Sequence, residues 1–238
     1  MGSSPLVVEE NATLRGMAIL LIRHGETPGN RDRIIQFPET PLSDRGLEQA
    51  ARLGERLARE PIGEIWVSDH KRAQQTAAAV ERTTGAPLEV LVDLGERSLG
   101  DLRGTPYSEL GFDPFAAGYQ PPGGESWEIF HERVDRAWQQ IEARWLESFA
   151  DREETSHFAV VTHGLVLRSL FERRLLSAAE LESHADDQHQ VSIANTAISF
   201  VEPTRLTSGG LGYRVGLLAC TAHLDADTAP RTNPNVGM

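Results

Sequence analysis

Cysteine is nearly absent from this chain: Cys220 is the only one in 238 residues. No internal disulfide can form, so nothing implies an oxidising compartment. Cys220 ends the apolar run Gly216-Leu217-Leu218-Ala219-Cys220 and reads as a small buried core residue. Positive charge is scarce as well. Against 35 Asp and Glu stand 23 Lys and Arg, a net charge of -12. A surface of that sign repels phosphate backbones and anionic lipid, which argues against nucleic-acid or membrane partners. It does not exclude a small phosphorylated ligand, because a few arginines reverse the field inside a cleft. Long apolar runs are missing, and so is a basic-then-apolar signal pattern at the N-terminus. A cytoplasmic location is the expectation. The sequence specifies no subunit partner.

The chain holds strand and helix signals in alternation. Met17 to Ile22 is a short apolar run suited to a strand buried on both faces. Ser43 caps a helix whose inner face carries Leu47, Ala50, Ala51, Gly54, Leu57 and Ala58, and Pro61 ends it. Glu64–Val67 reads as a second strand, Asp69–Thr84 as a helix stopped by Gly85, and Leu88–Val92 as a third strand. Gly95 to Gly124 is irregular, with one short helix near Tyr107–Leu110. A long amphipathic helix runs from Ser126 to Phe149, its inner stripe traced by Ile129, Phe130, Arg133, Val134, Ala137, Trp138, Ile141 and Trp145. Phe158–Thr162 is a strand, Gly164–Leu176 a helix, and Ala197–Val201 and Val215–Cys220 are late strands. Alternation of this kind predicts a three-layer α/β/α sandwich with a mostly parallel central sheet. Residues 1–16 read as a leader, 17–224 as the domain, and 225–238, with Pro230, Asn233, Pro234 and Gly237, as a flexible tail.

In such folds ligands collect at the carboxyl ends of the strands. Arg23 and His24 follow the first strand, Ser68 the second, with Arg72 one turn into the next helix. Glu96 follows the third strand and His163 the fourth. Two arginines, two histidines and a carboxyl are the parts that phosphoryl transfer needs. Guanidinium forks match the charged equatorial oxygens. A neutral imidazole attacks phosphorus. A carboxylic acid protonates the departing oxygen and then takes a proton from water. Gly25 and Gly164 let the backbone approach a ligand closely.

The motif Arg23-His24-Gly25-Glu26-Thr27 resembles the signature of the histidine phosphatase superfamily, in the phosphoglycerate mutase-like branch 1. Further segments are similar in the same order: Asn30, then Pro41 to Ala50, then Ser68-Asp69-His70-Lys71-Arg72, then Glu96-Arg97-Ser98-Leu99-Gly100, and finally Thr162-His163-Gly164. The similarity spans roughly residues 17–224. It implies that His24 is the phosphorylated nucleophile and Glu96 the proton donor. Arg23, Arg72 and His163 would hold the phosphoryl oxygens, and no metal or other cofactor would be needed. It also implies substrate contacts at Asn30, Thr27, Gln36, Phe37 and Gly164. One stretch departs from the pattern: Gln36-Phe37-Pro38-Glu39 stands where the family often has Gln-Gly followed by Asp. Phe37 and Pro38 stiffen that loop, which bears on specificity rather than on the core chemistry.

Three functions fit the resemblance. A phosphatase gives the phosphoryl group to water. A mutase retains and reorients a bisphosphate, and mutase members resemble one another in carrying extra cations in the insert after the acid loop. Thr105 to Gly124 contains no lysine or arginine and ends in Gly124-Glu125-Ser126, like broad-specificity phosphatases. A non-catalytic ligand binder is free to lose its nucleophile or acid, whereas this chain keeps the whole set. Phe112, Phe115 and Tyr119 read either as an apolar wall for the substrate or as packing for their loop. His70 and His131 read as helix-surface residues, and His157 as a residue before a strand. His184, His189, Asp186 and Asp187 read as a polar loop rather than a metal site, and His223 as structural. Trp127, Trp138 and Trp145 read as helix packing.

Overall fold

The structure, a computed structural model, describes residues 17–148, 156–185, 191–207 and 210–227. Among the described residues six strands form one sheet, in the order β3-β2-β4-β1-β5-β6. They are β1 (Ile19–Arg23), β2 (Ile62–Val67), β3 (Leu88–Val90), β4 (His157–Thr162), β5 (Ile198–Arg205) and β6 (Leu211–Cys220). The pairs β2–β3, β2–β4 and β1–β4 are parallel, while β5 runs antiparallel to both β1 and β6. The sheet is therefore mostly parallel, as the alternation of elements predicts.

Period-two alternation sorts the central strands onto two cores. Ile19, Leu21, Phe158 and Val160 face one cluster, closed by α4 (Trp127–Ser148) and α5 (Gly164–Leu170). Leu20, Ile22, Ala159 and Val161 face the other, closed by α2 (Asp44–Leu57) and α3 (Lys71–Thr84). Side chains alternate onto two dry faces, which is why these strands read as continuous apolar runs. Among the described residues there are also two short α-helices, α1 (Pro28–Asp32) and α6 (Ala178–His184). Sequence reading passes over both, although each carries its start signal. Thr27 precedes Pro28 at the first, and Ser177 forms a capping box with Glu180 at the second.

Several expectations shift. Leu47 and Ile129 are exposed, at 47% and 51%. The buried face of α2 centres instead on Gln49, Ala50, Leu53, Gly54 and Leu57. The helix expected over Gly164–Leu176 changes to a π-helical turn at Phe171–Leu175. Strand β3 stops at Val90, and β5 and β6 extend beyond their apolar cores to Arg205 and back to Leu211. Cys220 is half-buried rather than a core residue. Trp138 and Trp145 do pack the core, at 1% and 5% exposure. No helix among the described residues is long and apolar enough to cross a membrane. The leader expected at 1–16 lies outside the described residues. So does the tail, except for a 3-10 turn over Ala222–Asp227 that runs into its expected start.

Candidate active site

Strand register assembles the site. On β1 and β4, Arg23 pairs with Thr162, so the next residues, His24 and His163, leave the sheet side by side. Val67 pairs with Val161, which puts Ser68 beside them. The His24 and His163 rings stand 5.1 Å apart between centroids. Arg72 reaches them from the first turn of α3. Glu96 comes from the loop after β3 and is held by two backbone donors, Arg97 N at 3.0 Å and Leu165 N at 3.1 Å. A cavity of about 270 Å³ opens here, lined by Arg23, His24, Asn30, Arg72, Glu96 and Gly164 among others. His163 is fully buried, with its ring beside that of His24.

The tautomer of His24 follows from its partners. Nδ1 lies 2.7 Å from the Gly25 carbonyl oxygen, which only accepts, so Nδ1 carries the proton. Nε2 is then a lone pair, and it accepts from Arg72 Nε at 3.3 Å. Burial first, then the charges of Arg72 and Arg23, hold the His24 pKa well below the usual imidazole range, although the Gly25 bond opposes them. Burial also holds His163 neutral, seconded by Arg72. The Arg72 pKa is lowered to about 10, chiefly by burial, so it remains a cation at neutral pH. Burial raises the pKa of Glu96, against its two backbone donors and the two arginines. The site thus holds a neutral imidazole, cationic forks and a carboxyl biased towards its acid form.

Two buried polar atoms in this cluster have no protein partner among the described residues: Arg23 Nε and His163 Nδ1. Arg23 is otherwise fixed by NH1 donating to the Ile193 carbonyl at 2.5 Å, and it lies over Gly164, whose added Cβ would meet Nε at 3.5 Å. His163 Nε2 is 2.8 Å from Ser68 Oγ.

Two residues expected at the substrate do not reach the cavity. Thr27 is fully buried. Its hydroxyl caps α1 by accepting from Asn30 N, and donates to Gln36 Oε1 at 2.8 Å. The Phe37 ring is 49% exposed and lies over Gly104; only its carbonyl serves the site, accepting from Arg72 NH1 at 3.1 Å. Gln36 and Asn30 do line the cavity. Asn30 Oδ1 accepts from Thr27 N and from Asn195 Nδ2, which leaves its amide N–H₂ as the free end. Of Phe112, Phe115 and Tyr119, Phe115 lines the cavity, as does Tyr107 of the same insert, while Phe112 and Tyr119 pack on each other at 5.2 Å.

Sequence reasoning misses two site residues. His70 is not on a helix surface: it stands at the position just before α3 and lines the cavity. Its Nδ1 pairs with Arg72 NH2 at 3.1 Å, and burial, then Arg72, lower its pKa to about 3. Its place two residues from Arg72, between strand and helix, was the available signal. Asn195 Nδ2 donates to the His24 carbonyl at 3.0 Å and to Asn30. It precedes Thr196, a buried residue with φ of 57° whose N–H reaches the Arg23 and His24 carbonyls. No motif marks that turn.

Residues 19–207 match the model of the histidine phosphatase superfamily (branch 1). The chain belongs to this superfamily. Among curated histidine phosphatase relatives, phosphoglycerate mutase-like protein 4 of Arabidopsis thaliana is 38% identical over 178 residues, covering 69% of this chain and 74% of that protein. The metal-independent phosphoserine phosphatase of the same plant is 35% identical over 193 residues, covering 71% and 77%. The solved structure of Bacillus stearothermophilus YhfR superposes with a TM-score of 0.68 at 27% identity, covering 88% of this chain and 100% of that one.

Proposed function

We infer that the protein is a phosphomonoester hydrolase that passes its substrate's phosphoryl group through His24. The observation that carries this reading is the neutral His24, whose Nε2 lone pair faces Arg72 in a cavity shared with Arg23 and Glu96. In the first step Nε2 attacks phosphorus and the ester P–O bond breaks. The leaving oxygen takes the proton from Glu96. In the second, Glu96 takes a proton from water as the water oxygen attacks phosphorus. The P–N bond breaks, and phosphate and neutral His24 are regenerated. Arg72 turns its N–H from Nε2 to a phosphoryl oxygen, and Arg23 Nε and His163 Nδ1 gain the acceptors they lack in the protein. With Ser68 donating to Nε2 of His163, the proton sits on Nδ1 as a donor. Asn30 offers its amide N–H₂ to the same oxygens.

Every charge in this scheme comes from side chains, so the reaction is assigned as metal-independent. Residues 17–224 form the catalytic domain in this reading, and the protein is cytoplasmic. Water rather than a second substrate position accepts the phosphoryl group. The insert from Thr105 to Gly124 has no lysine or arginine to retain a bisphosphate. The purified protein should release phosphate from 4-nitrophenyl phosphate at an undiminished rate in excess chelator. No release, or release only with added divalent metal, would contradict the assignment.

A further inference from the structure

We propose that His70 is a positioning residue: its Nδ1 lone pair holds the Arg72 guanidinium in the pose from which Arg72 meets the phosphoryl group. This rests on the hydrolase reading above and adds a residue to it. Arg72 carries five N–H groups in one rigid plane. Three of its nitrogens are engaged, each on a different residue. Nε donates to His24 Nε2 at 3.3 Å, NH1 to the Phe37 carbonyl at 3.1 Å, and NH2 to His70 Nδ1 at 3.1 Å. The first contact must break when His24 Nε2 attacks phosphorus. The two outer contacts then keep the guanidinium plane in register, and neither lies on a reacting atom.

Both outer acceptors are themselves fixed. Lys71 N donates to the Pro38 carbonyl at 2.9 Å, which ties the Phe37 loop to the start of α3. His70 N donates to Ser68 Oγ at 3.2 Å, and the His70 ring packs on that of His163 with centroids 4.7 Å apart. A Cβ added at Gly95 would lie 3.4 Å from His70 Nε2. The His70 side chain caps no N–H of α3, although it stands where a helix cap would; it is turned to Arg72 instead. A guanidinium nitrogen only donates, so Nδ1 accepts and the ring proton sits on Nε2, which lies 3.9 Å from Asp69 Oδ1. Burial, then Arg72, lower the His70 pKa to about 3, so the lone pair persists at neutral pH. Charge stabilisation at phosphorus depends on donors held in place before the reaction. A misplacement of about 1 Å costs on the order of 100-fold in rate.

The test removes the acceptor and keeps the ring. His70→Phe should lower kcat/KM by about 10- to 100-fold, the worth of one hydrogen bond to a charged group. The loss should be equal for alkyl and aryl phosphates, because Arg72 acts on the phosphoryl group they share. His70→Asn carries its amide oxygen on Cγ, where the imidazole carries Nδ1, and should recover most of the loss. In an Arg72→Ala background there is no guanidinium to hold, and His70→Phe should cost less than about two-fold more. If thermal unfolding shows that His70→Phe does not fold, His70→Leu takes its place in the same comparisons. Wild-type kcat/KM in His70→Phe, an Asn variant no better than the Phe variant, or the full loss repeated in the Arg72→Ala background would overturn the proposal. In each of those cases the hydrolase reading stands. Hydrolysis of no phosphate ester by wild type would overturn both.

Discussion

At the scale of single residues, the site works by setting protonation states through burial. In the proposed reaction His24 must be neutral to attack, and its pKa is held well below the ordinary 6.5 by burial and two arginines. As the proposed acid Glu96 must hold a proton, and burial biases it that way. These shifts give the pH dependence a definite sign. The nucleophile is active above its depressed pKa, so no acid limb from His24 should appear between about pH 6 and 7, where free histidine titrates. The acid role is lost as pH rises through the raised pKa of Glu96, so turnover of alkyl esters should fall on that side. Glu96→Gln should remove this alkaline limb. It should also slow alkyl phosphates by about 100- to 10,000-fold while affecting activated aryl phosphates far less. Steady-state rates across leaving groups and pH check this; equal slowing of both classes would remove Glu96 as the acid.

At the scale of elements, close backbone contacts fix the loop that carries His24. A Cβ at Gly46, in the first turn of α2, would lie 1.9 Å from the Glu26 carbonyl oxygen, and one at Gly25 would lie 2.7 Å from the Gly46 carbonyl oxygen. The loop is seated further by Glu26 N donating to Gln49 and by Ser43 N donating to the Glu26 carbonyl. Gly46→Ala should therefore cost about 1–3 kcal/mol of stability, several degrees of Tm in a chain of this size, and should lower kcat by displacing His24. Thermal unfolding and turnover measured together check both; an unchanged Tm with full activity would contradict the close packing. The strands and long helices were legible because their apolar periods are strong, and Ser43 does cap α2 by accepting from Gly46 N. Leu47 and Ile129 misled because an apolar residue at the boundary of a helical stripe looks the same in sequence whether it faces core or solvent.

On the whole-molecule scale, the fold brings together residues 24, 72, 96 and 163; 24, 96 and 163 were legible as residues that follow strands, and 72 as one lying a turn into the next helix. His70 and Asn195 were not, because their roles arise from contacts across long sequence separations: His70 against His163, and Asn195 against His24 and Asn30. Thr27 sits within the signature motif, yet it serves the fold beneath the site. Three imidazoles, His24, His70 and His163, therefore lie within two ring contacts of one another, and only one of them is assigned to carry the phosphoryl group. Rapid mixing with a radiolabelled aryl phosphate, an alkaline denaturing quench and peptide mapping decide between them. The account predicts label on His24 within the first turnover and none in His24→Ala. Full turnover with no labelled protein at any time, or label on His70 or His163 instead, would contradict it.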